Sequence, residues 1–484
     1  MRQFVLVLFG FVSSVLLYSQ ETNYLYNNYG PAAFIKGGVE IAGSRSTSAI
    51  FYNPGALAFS EGTFIEAQAD VFGFDFVEMD NGAGEGIPIR YINFDVVPSF
   101  FGYTNQTKNK KLFYGLSTMV KMNSRINFFA DHVFNRNLIA PETDTETFEG
   151  TYSYRNHLRE TWVSGAIGYR LNENIGLGFS TNIAIRVQDF NRSYNAAVFP
   201  QGTSNFQGTE PEKLANFQRN ESLQYRATGL VFKGGINAEY GNNKFGLTIT
   251  TPNLNVPLIR NRSSRHIIAV MPDISPNTFY ASGVYDFWQA EYNTPWIIDL
   301  GGEFSLSEKV ELSAMVKWYS KVDTYNMLNS YEKSTAYGTA LESIPNFANP
   351  QMANKSVINA GAAVTILLRD NLYYGGSFRT DFNYFDQDAL SYVDDYVPIF
   401  TFWDIYHITS GFAWTGERTS LSAGLNLGMG FSKGDQQLVN MTTARQDNLL
   451  QGDRNKNTST DYLNASFVIS ISYSVTSVNG ISNK

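Results

Sequence analysis

The chain has 484 residues, a formal net charge of −8, no cysteine, 40 glycines and 15% aromatic residues. A mean hydropathy of −0.21, with no 18-residue apolar run beyond the N-terminus, excludes a bundle of membrane-crossing helices. The mildly acidic balance, without a basic block, argues against nucleic acid as a partner.

Residues 1–19 read as a secretory signal peptide. Arg2 supplies the positive start, Phe4 to Leu17 an apolar stretch, and Ser19 a small residue at the cut. Residues 20–60 follow as a separate unit. Its core, from Gly37 to Phe59, is rich in Gly, Ala and Ser, has no strand alternation, and contains the step Asn53-Pro54-Gly55. Small residues and a proline make a poor strand, so this stretch reads as a compact plug packed against other backbone.

From residue 61 to 475 the pattern changes to a two-residue period. In 175–187, Ile175, Leu177, Phe179, Ile183, Ile185 and Val187 share one face, with Gly176, Gly178, Ser180, Asn182 and Arg186 on the other. The stretches 421–431 and 467–475 alternate in the same way. The candidate strands are 63–78, 91–104, 111–123, 158–171, 174–190, 222–240, 243–255, 293–306, 309–321, 355–368, 371–385, 402–415, 418–432 and 462–475. Connections alternate between short turns, such as Asn172-Glu173 and Gly241-Asn242, and loops of about a dozen to nearly forty residues. A soluble sandwich has no reason to sort its loops by parity; a barrel with one loop face outside the cell does. The fold class is therefore all-β: a transmembrane antiparallel barrel of about fourteen strands, with the N-terminal hatch in its lumen, in a Gram-negative outer membrane. Residues 476–484 form a C-terminal tail.

The segment GGVEIAGSRSTSAIFYNPGALAF resembles the hatch of the outer-membrane long-chain fatty-acid transporter family (FadL type). The run from Thr294 to Leu328, a proline followed by a Gly-rich strand, a tight turn and a strand ending in Trp-Tyr, is similar to the family's pattern, as is 245–256. The resemblance implies a fourteen-stranded barrel that collects a hydrophobic molecule in its outer loops and holds it in an apolar pocket. It also implies sideways exit near a kinked third strand. By position that strand is 111–123, with Gly115 as the candidate kink residue. Two departures stand out: a tail continues past Val475, and the third-loop equivalent, 191–221, is polar, with a short helical stretch around 211–217.

Inward faces made largely of Gly, Ser, Asn and Ala predict a mostly uncharged lumen. The hatch offers Phe34, Ile35, Ile50, Phe51, Leu57 and Phe59 as ligand contacts, with Asn53, Pro54 and Gly55 as gating residues. Burial there would gain about 0.8 kcal/mol for each methylene of a ligand. The loop 256–292 adds Ile268, Met271, Phe279, Phe287 and Trp288 as a landing surface. Arg155, Arg159, Arg186 and Arg226 suit either a ligand carboxylate or acids within the lumen. The four histidines lack metal spacing, the Asp-rich run 381–395 lacks a ligand-loop glycine, and His157 near Ser153 is a faint hydrolase pair. The predictions are no catalytic residue, metal or cofactor. The partners are a hydrophobic small molecule such as a long-chain fatty acid, outer-membrane lipid and an envelope protein. The first functional reading is passive uptake of that molecule. The alternatives are a non-transporting scaffold in an envelope or secretion complex, and a barrel-embedded hydrolase.

Overall fold

A computed structural model describes residues 21–475 apart from 26, 61, 140–144, 201–213, 258–259, 272–277, 288–289, 329–334, 338–346, 348 and 391–395. The signal segment and the tail 476–484 therefore lie outside the described residues. The hatch holds helix α1 (Pro31–Ile35), helix α2 (Ala49–Tyr52) and a 3₁₀ turn (Pro54–Phe59). The strands begin with β1 (Phe64–Asp80), β2 (Ile89–Gln106), β3 (Leu112–Arg136), β4 (Glu146–Arg170), β5 (Ile175–Pro200), β6 (Ala215–Tyr240) and β7 (Asn243–Thr250). Next come β8 (Leu254–Val256), β9 (Asn261–Val270), β10 (Thr278–Phe287), β11 (Ile297–Ser307), β12 (Val310–Tyr319) and β13 (Val322–Asn326). The last are β14 (Thr335–Tyr337), β15 (Gln351–Asn354), β16 (Val357–Arg369), β17 (Leu372–Asp381), β18 (Asp404–Thr415), β19 (Thr419–Asp435) and β20 (Thr458–Ser474).

Fourteen of these close an antiparallel barrel. The order runs β1 to β7, then β11, β12 and β16 to β20, and β20 returns to β1 with Phe64 opposite Ser474. Alternation sets the two faces, as the two-residue period predicts. Leu116, Ile167, Phe179, Leu300, Phe378 and Leu425 all lie exposed on the outside, which is the apolar belt of a membrane barrel. The short turns all fall at one end, and the chain ends β1 and β20 meet there.

The wall has two heights. Strands β3 to β6 each run 25 or 26 residues, whereas β7, β12 and β17 run 8 to 10. At about 3.3 Å per residue, the tall strands far exceed the 9–11 residues a crossing needs. Two sequence expectations are corrected here. Most of 191–221 was read as a loop with a helical stretch; instead β5 continues to Pro200 and Ala215–Phe217 is already strand. The loop 256–292 carries β9 and β10, with β9 pairing to the upper half of β6 and β10 to β9. Pro252 follows the end of β7, and above that point β8 and β9 take over as partners of β6.

The lumen is filled in three layers. At the turn end sits the hatch, at the loop end an apolar cluster including Phe128, Phe148, Tyr154, Phe190, Tyr225, Phe400 and Trp403. Between and around them lies a charged layer, which corrects the expectation of an uncharged lumen. Lys36 of the hatch meets Glu303 at 2.5 Å, Glu311 at 2.6 Å and Glu40 at 3.3 Å. Arg186 meets Glu160 at 2.9 Å, Lys317 meets Asp299 at 3.1 Å, and Arg265 meets Glu221 at 2.9 Å. β11 contributes two of these groups, Asp299 and Glu303, and β12 two, Glu311 and Lys317; β4, β5, β6 and β9 contribute one each. Pairing across several elements is what permits the burial.

Candidate functional site

One seam of the barrel is unzipped. β2 and β3 pair only from Gln106 opposite Phe113 up to Phe100 opposite Met119. Beyond that point Ile89–Pro98 of β2 pairs with β1, and Met122–Arg136 of β3 pairs with β4. Two local features end the pairing. Pro98 has no N–H to donate, and β3 slips register between Val120 and Met122. The slip moves the buried face of β3 from odd positions (Phe113, Gly115, Ser117, Met119) to even ones (Ser124, Ile126, Phe128, Ala130).

The hatch supplies the bonds that β2 does not. Asn27 Nδ2 and Tyr29 Oη both donate to the Val120 carbonyl, at 2.8 and 2.9 Å, satisfying a backbone acceptor at the slip. Across the open seam, Asn123 Nδ2 donates to Asp95 Oδ2 at 2.5 Å. On the lipid side the β2 edge shows Ile92, Phe94 and Val96, half exposed or nearly so.

Directly inside lies a cavity of about 20 Å³, lined by Tyr24, Tyr29, Phe51, Lys121, Lys317 and Arg379 among others, which is room for about one water. Phe51 packs edge-on to Tyr29 at 4.8 Å and to Trp162 at 6.2 Å. Lys233 lies 4.9 Å over the Phe51 ring and donates to its carbonyl at 2.5 Å. Lys121, at the slip itself, sits 4.4 Å over Trp162 and 3.5 Å from Glu160. The lead segment of the hatch is tied to β17. Tyr24 and Leu25 N–H donate to the Asp381 carboxylate at 3.0 and 2.9 Å, and Arg379 donates to Leu25 O at 2.7 Å and Gly37 O at 2.6 Å. Glu21 accepts from Phe400 N at 2.7 Å and from Asn156. Burial pushes its carboxyl up to about 7, against the pull of those bonds.

The predicted residues separate into groups. Phe34 and Ile35 pack with Ala413 and Val468, and Ile50 and Leu57 with Phe113 and Ala166. Phe59 lies 5.4 Å under the Arg170 guanidinium. Of the hatch candidates, Phe51 lines the cavity. Asn53 is buried; its Oδ1 accepts from Gly55 N at 2.9 Å, and its Nδ2 donates to Ile41 O and Ile236 O at 2.9 and 3.0 Å. Pro54 and Gly55 press on Gly178 and Gly235 so closely that a Cβ at either glycine would collide with them. Gly115 keeps regular partners, Thr104 and Ala166; it provides the seat for Ile50, and the irregularity of β3 is at Lys121 instead.

Of the loop candidates, Ile268 and Met271 face opposite ways. Ile268 is outward and 45% exposed on β9, while Met271 is buried in the outer cluster. Phe279 and Phe287 lie on β10, and Trp288 falls outside the described residues. Ser153 Oγ pairs with Ser193 Oγ at 2.8 Å rather than with His157. No cluster of metal-ligand side chains occurs among the described residues. Sequence reading missed Asn27, Tyr29, Asp95 and Lys121. Pro98 within a predicted strand and the parity change after Met119 were the available signals.

Solved structures share this fold. A Pseudomonas aeruginosa FadL homologue matches with a TM-score of 0.56 and 12% identity over 94% of this chain and all of its own. The fold is that of the FadL-type outer-membrane barrels. The P. putida toluene transporter TodX matches at 0.55 and 12% identity over 92% of this chain and 98% of its own. The CymD monoaromatic hydrocarbon channel matches at 0.51 and 11% identity over 92% and 97%. No protein-family model and no curated protein matches the sequence.

Proposed function

We propose that this FadL-type barrel carries hydrophobic molecules, long-chain fatty acids first among them, passively across the outer face of the membrane and releases them sideways between β2 and β3. The observation that carries this reading is the unzipped seam whose freed Val120 carbonyl is held by hatch side chains. A cap made of two side-chain hydrogen bonds, each worth about 0.5–1.5 kcal/mol, opens far more cheaply than a strand ladder. Withdrawal of Tyr29 and Phe51 would join the small cavity to the lipid phase. The cations beside it, Lys121, Lys317 and Arg379, suit a carboxylate head, and the aromatic walls suit a tail. The names of the similar structures, a toluene transporter and hydrocarbon channels, support a hydrophobic cargo.

The test is a staple. The chain has no cysteine, so Asp95→Cys with Asn123→Cys introduces one pair, placed across the seam. Vesicles bearing this variant should take up labelled oleate when reduced and stop when oxidised, with uptake restored by reductant. Equal uptake in both states rules out the lateral route. Uptake absent from the parent chain, with a large protein co-purifying, supports the alternative of a scaffold, which the filled lumen favours.

A further inference from the structure

Above the apolar belt, the outer face of β4, β5 and β6 changes from apolar to charged and polar residues. Val163, Ile183 and Leu230 lie side by side in register, facing lipid. Four residues further out, Arg159 and Arg226 flank Val187. The next outward row reads Arg125, His157, Asp189, Gln224 and Arg262, strand by strand from β3 to β9. Arg155 stands in the row beyond.

All five arginines are exposed, and none has an ion pair or a side-chain hydrogen bond among the described residues. This corrects the expectation that Arg155, Arg159 and Arg226 belong to the lumen; of that set, Arg186 does. On β3 to β9 Asp189 is the single carboxylate of these rows; on β10, Asp286 stands opposite Arg262. The surface is concave here: a depression of about 380 Å³ is lined by Arg125, Arg155, His157 and Asp189, with Asn127, Asn191 and Gln224 among the others. Arg260, two residues membrane-ward of Arg262, is by contrast neutralised by Asp286 at 2.5 and 2.6 Å.

We infer that this depression binds the phosphorylated headgroup of an outer-leaflet glycolipid whose acyl chains lie on the belt below. Three observations converge. The first cations, Arg159 and Arg226, stand four residues outward of the apolar row Val163, Ile183 and Leu230, close enough for one lipid to touch both. They lie on a rigid four-to-five-strand sheet rather than on loops, so their spacing is fixed. Finally, guanidinium forks left without carboxylates match phosphate oxygens in geometry and charge, and the amides between them suit sugar hydroxyls. A soluble anion would gain the same charge contacts but none from Val163, Ile183 and Leu230 beneath. The site faces away from the lumen, so it stands whether or not the barrel transports.

Native mass spectrometry of the purified full chain, offered a diphosphorylated glycolipid or its dephosphorylated form, tests this. The parent chain should retain the phosphorylated lipid selectively. Arg125→Gln with Arg155→Gln and Arg159→Gln should weaken that retention about a hundredfold, from roughly fivefold per cation near an anionic surface. The control Arg369→Gln with Arg418→Gln, at the opposite rim, should retain it unchanged. Circular dichroism and heat-modifiability on gels check that both variants are folded barrels. Equal retention of the two lipids by the parent, or an unaltered triple variant, overturns the inference.

Discussion

The hatch meets the barrel in two contrasting ways. Against β4 to β6 it is wedged: Pro54 and Gly55 sit on Gly178 and Gly235 with no room for a side chain, and Asn53 ties Ile41 to Ile236. Against β2 and β3 it packs only below the seam, with Ile50 on Gly115 and Tyr29 beside Phe100 and Met119; at the open seam itself Asn27 and Tyr29 hydrogen-bond one carbonyl beside a cavity. Close packing gives an all-or-none contact, because removing it leaves a void. A polar cap can exchange its partners for water or ligand at small cost. The same plug thus has a close-packed side and a side held mainly by polar contacts, and the proposed lateral release requires only the second to yield.

The comparison can be broken in order of expected effect. The oxidised Asp95→Cys, Asn123→Cys staple should abolish uptake while leaving the barrel's unfolding midpoint in urea nearly unchanged; a large shift in the midpoint would mean the seam is structural. Gly178→Val drives a side chain into the Pro54 backbone, with an expected cost of about 1–3 kcal/mol. Hydrogen exchange should then show loss of protection over 49–59, with 21–30 little affected. Replacing Asn53-Pro54-Gly55 by Ala tests the same anchor and should alter uptake with the barrel intact. Tyr29→Phe removes one bond to Val120, at about 0.5–1.5 kcal/mol, and should speed oleate uptake rather than slow it.

The smallest effect concerns pH. Glu21 has its carboxyl raised from an ordinary 4.5 to about 7 by burial, so the folded lead segment binds a proton more tightly than the released one. Its docking is therefore strongest in acid and weakens as pH rises from 4.5 to about 7. Exchange protection of residues 21–25 should be greater at about pH 5 than at about pH 8, and Glu21→Gln should flatten that difference.

Much of the barrel was legible because its rules are local. Alternation in 175–187 and 421–431 assigned faces residue by residue, and short turns such as Gly241-Asn242, with Gly241 at φ +60°, marked the hairpins. The extra height of β3 to β6 was not legible. Above the membrane both faces of those strands are partly polar, as at Asn216, Gln218 and Asn220 of β6, so the hydrophobic period fades where the strand continues. The hatch residues were recognised as packing groups, yet nothing in their spacing distinguishes Phe51 at the cavity from Phe34 against β18.

By itself, the sequence determined an even-stranded, antiparallel, membrane-facing cylinder and a small-residue plug, since both follow from neighbours along the chain. Only the tertiary structure decided that the lumen is charged, that the β2–β3 pairing ends at Lys121, and that Arg155, Arg159 and Arg226 face outward rather than into the lumen. Those outcomes depend on which strands lie opposite one another, and on the single-residue slip in β3 that exchanges inside for outside.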